Sequence, residues 1–183
     1  MDEMINHLTS AARPTAALVR DLREEELPLP TPCAEYDVRG LLTHMEWVAE
    51  TFETMAARQP RPEQGEYAGD FPDRIERTLT AWSKPQAWEG ETPFGMPMAA
   101  AAHLLLIDLV VHGWDLARAT GRPYAQDAGA VEEALGFAEQ MAPMGRAQGA
   151  FADEVVVRAD APALDRLLGL TGRDPGWTAP ITD

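Results

Sequence analysis

Cysteine is almost missing from this chain: Cys33 is the only one in 183 residues. That excludes an internal disulfide and any metal site built from clustered thiolates. Basic residues are scarce as well, with 15 Lys and Arg against 30 Asp and Glu and a formal net charge of −15. A surface of that sign repels phosphate backbones, so no nucleic-acid partner is expected. No uninterrupted apolar run reaches the length of a membrane span, because the best one, Met98 to Val111, is broken by His103 and Asp108; no membrane partner is expected either. Met1-Asp-Glu-Met lacks the basic start and apolar segment of a secretory signal, which makes the cytoplasm the expected location. Period-two alternation is nearly absent, and the β-branched run Val155 to Val157 is too short to define a sheet. Internal repeats and low-complexity tracts are lacking too.

What the chain does have is helical periodicity in an ordinary globular composition, 45% hydrophobic and 25% charged, which excludes wholesale disorder. Its length fits one helical domain over residues 1–183. Ile5, Leu8, Ala12, Ala16, Val19 and Leu22 recur at spacings of three and four, predicting a first helix over Met4 to Leu22 with Pro14 as a point of kinking. The proline-rich stretch Leu27 to Cys33 breaks it. Asp37 suits the N-cap of a second helix running to Arg58, with Leu41, Val48, Phe52 and Met55 inward and His44 among them. A loop from Gln59 to Asp70 precedes a short helix over Phe71 to Ser83, and Lys84 to Pro97 forms another loop. Pro97 to Thr120, closed by Gly121 and Pro123, reads as the central helix. Gln126 to Met141 and Asp160 to Leu170 supply two more, separated by a loop over Ala142 to Gly149. The fold class that follows is all-α: a bundle with extra short helices and a short extended C-terminal segment.

Inside the central helix, Asp108 and His112 stand four residues apart. Their side chains leave the helix about 40° apart and share a face. An ionised carboxylate on so apolar a helix is costly unless paired or metal-bound. With His44 from the second helix, the three form a candidate set of two imidazoles and one carboxylate, a composition that leaves coordination positions open on zinc and also suits nickel or Fe(II). The plainer alternative is an Asp108–His112 ion pair beside a histidine bonded to backbone. His103 lies about 180° around the helix from His112 and faces away. His7 reads as a surface residue. Asp115 returns to the ligand face one turn on and would stand behind the ligands, although an intrahelical pair with Arg118 is the commoner use of that spacing. Trp114 reads as a packed aromatic and Gly113 as a close helix contact. Cys33 reads as a small packed residue rather than a nucleophile.

Three segments carry a resemblance. Thr31 to His44 (TPCAEYDVRGLLTH), Asp108 to Gly121 (DLVVHGWDLARATG) and Ala159 to Trp177 (ADAPALDRLLGLTGRDPGW) occur in the order found in the DinB-like metal-binding bundle superfamily. Within it the chain resembles the branch of the mycothiol-dependent maleylpyruvate isomerase N-terminal domain, in a single-domain subgroup. The resemblance implies a four-helix bundle holding a divalent ion, usually zinc, through His44, Asp108 and His112. The resemblance reaches only the N-terminal bundle of the isomerase, so its C-terminal domain is not expected here.

The chemistry implied by the resemblance is thiol transfer or isomerisation. A mycothiol-like cosubstrate is held as its thiolate, well below the usual thiol pKa of about 8.5, and attacks a small electrophile. Arg118, Trp47 or Trp88 could position either molecule. A second reading is a metal-dependent hydrolase with Glu46 as base; a third is a metal- or ligand-binding stress-response bundle without turnover. A homodimer through an apolar helix face is the expected assembly if the chain is not monomeric.

Overall fold

The computed structural model describes residues 1–180. Six α-helices follow one another: α1 (Asp2–Arg20), α2 (Val38–Ala56), α3 (Phe71–Trp82), α4 (Met98–Ala119), α5 (Ala128–Ala147) and α6 (Ala163–Leu170). Short 3₁₀ turns occupy Glu24–Glu26 and Pro85–Trp88. There is no strand among the described residues, only isolated bridges joining Pro30 to Asp37 and Glu91 to Pro97. The chain is therefore all-helical, as its periodicity predicts.

α1 lies against α3 and α4, and α2 against the same two helices, so the first four helices close a ring in the order α1, α3, α2, α4. α5 covers α1 and α4 from outside, and α6 packs on α5. This arrangement explains why α4 is buried nearly all round: Ala101, Leu105, Leu106, Leu109, Val110 and Leu116 are each at most 1% exposed. α4 is long and apolar enough to cross a membrane by length and composition, a property hidden when the apolar run is counted only to Val111; 72% of its most apolar window is buried inside the bundle.

The helix ends follow local chemistry. Asp37 accepts the Gly40 amide and caps α2. At its far end Arg58 takes a left-handed conformation at φ 57°, and Gln59 N donates to Thr54 O, closing the helix before the loop. Two boundaries differ from the expected ones by more than two residues. α5 runs through Pro143 to Ala147, where a loop from Ala142 is expected. Ala142 is buried and the Phe151 ring lies against Gly145, so packing holds the last turn despite the proline, and Gly149 at φ 72° ends it. α6 begins at Ala163 because Pro162 is its N-cap. The Val155 to Val157 run forms no strand; the Val155 amide donates instead to Gly169 O.

Gly113 makes the close contact its sequence position predicts. A Cβ there would meet the hydroxyls of Tyr124 and Thr15, and those hydroxyls bond the carbonyls of Val110 and Leu109. The absent side chain lets α1 and Tyr124 approach α4 at the position next to His112.

Candidate functional site

α2 and α4 are neighbours in the ring, and their contact brings His44 onto the Asp108–His112 face of α4. The Asp108 carboxylate is shared: its Oδ1 lies 3.4 Å from His44 Nε2 and 3.5 Å from His112 Nε2. One donor atom from each of the three residues falls within 4.8 Å of the other two. The side chains are 19%, 20% and 10% exposed for His44, Asp108 and His112, so solvent reaches the cluster and it is not sealed in the core.

Aromatic rings fix His44. Tyr36 stacks on it with centroids 5.4 Å apart, Trp47 tilts at 6.1 Å, and His112 meets it edge-on at 4.9 Å. Burial presses the His44 pKa down, but the hydrogen bond and negative charge of Asp108 outweigh it and leave the imidazole above its ordinary value. Burial likewise pushes Asp108 up, and the two imidazoles, His112 first, bring its carboxyl below the ordinary carboxylate range.

Behind the cluster, His112 Nδ1 lies 3.0 Å from Asp115 Oδ2. Asp115 is fully buried and receives Arg173 at 3.1 Å, while Arg173 Nη1 donates to Thr171 O at 2.8 Å. The expected Asp115–Arg118 pair does not form. Arg118 lies over the Trp114 ring and donates to Pro175 O, because Asp115 points inward and Arg118 outward. Asp115 thus supports His112, the less common use of its spacing.

Other residues singled out from the sequence fall away from the cluster. Glu46 is buried and accepts the Ala68 and Asp70 amides at 2.8 and 2.9 Å, holding the loop ahead of α3; those bonds give it a structural role there. Trp88 donates to Trp82 O and packs edge-on against that ring, so it positions no ligand at the cluster. His103 faces away as predicted, paired with Glu133 and stacked on Phe137. His7 is half-buried rather than exposed, 3.9 Å from Asp127 across the α1–α5 contact.

The residues that sequence reasoning did not select are Tyr36, Arg173 and the site-side role of Cys33. Tyr36 and Cys33 lie in the loop before α2, which Thr31 ties down by donating to the Cys33 and Tyr36 carbonyls. Cys33, His112 and Asp115 form a second group with donor atoms within 4.8 Å. Burial raises the Cys33 thiol above its ordinary pKa, the Arg173 charge opposing. Arg173 meets Asp115 from 58 residues away in sequence, a separation no local pattern encodes.

An all-helical bundle with a shared two-histidine, one-carboxylate cluster between two of its helices is the class that fold and site define. Residues 8–71 match the family model described as the mycothiol maleylpyruvate isomerase N-terminal domain, a DinB-like family. That stretch includes His44 and ends before α4, and it bears out the family resemblance over the first of the three segments, Thr31 to His44. Two curated relatives are the uncharacterized protein MT0763 of Mycobacterium tuberculosis (strain CDC 1551 / Oshkosh) and the uncharacterized protein Rv0738 of the same species (strain ATCC 25618 / H37Rv). Each is 29% identical over 184 aligned residues, covering 94% of this chain and 98% of the relative. No solved structure matches the chain.

Proposed function

We propose that this protein is a divalent-metal-dependent transferase or isomerase that uses a small thiol of the mycothiol kind against a small electrophile, with His44, Asp108 and His112 as the metal ligands. The observation that carries the reading is the spacing of the donors. Two ligand atoms on one tetrahedral zinc, each about 2.0–2.2 Å from the ion, lie about 3.4 Å apart. Asp108 Oδ1 stands 3.4 and 3.5 Å from the two imidazole nitrogens, so two of the three donor separations match those around a tetrahedral zinc, and nickel or Fe(II) accept the same set. The mycothiol part of the reading is supported by the family matched over residues 8–71.

When bound, such an ion supplies a Lewis acid that keeps a low-molecular-weight thiol as thiolate at neutral pH. The chain does the rest. The Asp115 carboxylate, facing the permanently charged Arg173, accepts the Nδ1 proton of His112 and so directs the Nε2 lone pair toward Asp108. Tyr36 and Trp47 hold the His44 ring at its angle and narrow the approach to the cluster. Hydrolysis is the weaker use of the same residues, since Glu46 is bound to two backbone amides.

The test is elemental analysis of untagged protein purified without chelator, beside His112→Ala. Near-stoichiometric metal in the wild type, lost from the variant with helical circular dichroism unchanged, supports the ligand set; equal metal content in both overturns it. Consumption of mycothiol by the loaded protein in the presence of α,β-unsaturated or haloalkyl electrophiles then tests the reaction. Turnover without thiol would return the reading to hydrolysis.

A further inference from the structure

Beyond the end of α2, a cavity of about 250 Å³ opens between α2, the start of α4 and the loop that joins α3 to α4. We propose that it binds a small organic carboxylate with a single negative charge and an apolar body, anchored by Arg61. As the acceptor's binding site it deepens the thiol-transfer reading and rests on it.

Met55, Met98, Pro93 and Phe94 make much of the cavity apolar. Phe94 is 67% exposed, a large apolar side chain standing at the cavity with most of its surface in water. The hydroxyl of Thr51, another lining residue, is buried with no hydrogen-bond partner. An apolar cavity of roughly 150 Å³ already accepts benzene, whereas drug-sized ligands use roughly 300 Å³ or more. The volume therefore suits one ring or a short branched chain.

The charge at the rim is specific. Arg58 and Arg61 both line the cavity, but Arg58 spends its guanidinium on the carbonyls of Gln86, Glu89 and Glu91. Arg61 lies with its guanidinium carbon 4.3 Å from the Trp47 ring centre. Among the described residues it makes no hydrogen bond or ion pair, in a chain with 30 acidic residues available. Trp47 in turn donates to Pro62 O at 3.0 Å, which pins the segment carrying Arg61. A stacked guanidinium with free in-plane donors is preorganised for bidentate carboxylate binding. Glu91 also lines the cavity and disfavours a second negative charge, so a monoanion fits better than a dianion.

Position links this cavity to the cluster. Trp47 carries Arg61 against its ring and has its ring centre 6.1 Å from that of His44. One indole thus neighbours both the proposed carboxylate anchor and a proposed metal ligand. A molecule seated on Arg61 places its charged end beside Trp47 and its apolar body between Met55, Met98 and Phe94.

The experiment is calorimetric titration of the metal-free protein with 3-phenylpropionate, its neutral amide 3-phenylpropanamide, and maleate, with the Trp47 indole resonance followed by NMR. The acid is expected to bind and shift that resonance, the amide and maleate at least tenfold more weakly. Arg61→Gln should weaken the acid at least tenfold and Phe94→Ala severalfold; both side chains are exposed, so neither change threatens the fold. Absence of acid binding, equal binding of amide or maleate, or an unchanged affinity in Arg61→Gln overturns the proposal. His112→Ala should bind the acid like wild type. If it does while the wild type carries no metal, the cavity stands and the metal-thiol reading fails; metal and thiol turnover without acid binding leave that reading standing and refute the cavity.

Discussion

Changing Asp115 to Asn keeps the shape of a fully buried side chain and removes only its charge. Two partners feel the loss. Arg173, whose side chain is 8% exposed, keeps a permanent charge beside a neutral amide. Breaking a buried ion pair from one side costs about 3–5 kcal/mol, and because the Asn carbonyl still accepts a hydrogen bond, the low end applies, about 3 kcal/mol. For a chain of this length that is roughly 6–12 °C in Tm. His112 loses the carboxylate at its Nδ1, which should weaken metal binding by about 10–100-fold, less than the near-total loss expected for His112→Ala. Urea unfolding of the metal-free protein reads the first effect and competition with a chromogenic chelator the second. The double variant Asp115→Asn, Arg173→Met separates pair from packing. With both charges gone no orphan remains, so it should be more stable than the sum of the single changes by at least about 1 kcal/mol. Additive losses, or a cost for Asp115→Asn below about 1 kcal/mol, would refute the idea that Arg173 and Asp115 act as one unit behind His112.

Gly113→Ala sets a helix-propensity gain of up to about 1 kcal/mol against overpacking on Tyr124 and Thr15, which costs about 1–3 kcal/mol; a net loss is expected in urea, and a stabilised variant would contradict the close contact. Glu46→Ala should strand the Ala68 and Asp70 amides and lower stability by about 2 kcal/mol while leaving metal content intact; loss of metal would return Glu46 to the site. Acid sensitivity should include Glu26, whose pKa is lowered from 4.5 to about 2, chiefly by its hydrogen bonds from Arg122. Since the folded value lies below the unfolded one, its contribution is present above pH 4.5 and fades as pH falls toward 2. Solvent reaches Arg122, so the pair is worth about 1 kcal/mol; Glu26→Gln should flatten the stability profile over that window, and an unchanged acid limb would rule the pair out.

What the sequence made legible was whatever local periodicity encodes. The 3.6-residue pattern located all six helices, Asp37 announced the start of α2, and the four-residue step from Asp108 to His112 placed two side chains on one face. Failures came where tertiary contacts overrode local chemistry. Pro143 argues for a helix end, yet Ala142 and Phe151 hold α5 together past it. Asp115 and Arg118 have the spacing of an intrahelical pair, yet α4 is so deeply buried that one of them must face the core, where Arg173 meets it. Glu46 sits two residues from His44 and looks available as a base, but burial of a carboxylate demands donors, and the loop before α3 provides them.

The two donor groups around His112 cannot both be metal sites while the ring is a neutral imidazole with a single lone pair. The Asp108 contact is to Nε2, whereas the Asp115 contact is to Nδ1. A neutral imidazole carries a proton on one nitrogen and a lone pair on the other. Both nitrogens face a carboxylate, but Asp115 Oδ2 stands 3.0 Å from Nδ1, within hydrogen-bond reach, and Asp108 Oδ1 3.5 Å from Nε2; on a neutral ring the shorter contact takes the proton, which leaves the lone pair on Nε2. The raised pKa of Cys33 points the same way, since a thiol kept protonated by burial is a poor ligand. Cys33→Ala is therefore expected to retain the wild-type metal stoichiometry and His44→Ala to lose it. Long-range ¹⁵N–¹H correlation spectra of the metal-free protein should place the His112 proton on Nδ1. Metal lost with Cys33 and kept without His44 would move the site to the other side of the ring, and with it the thiol and the electrophile.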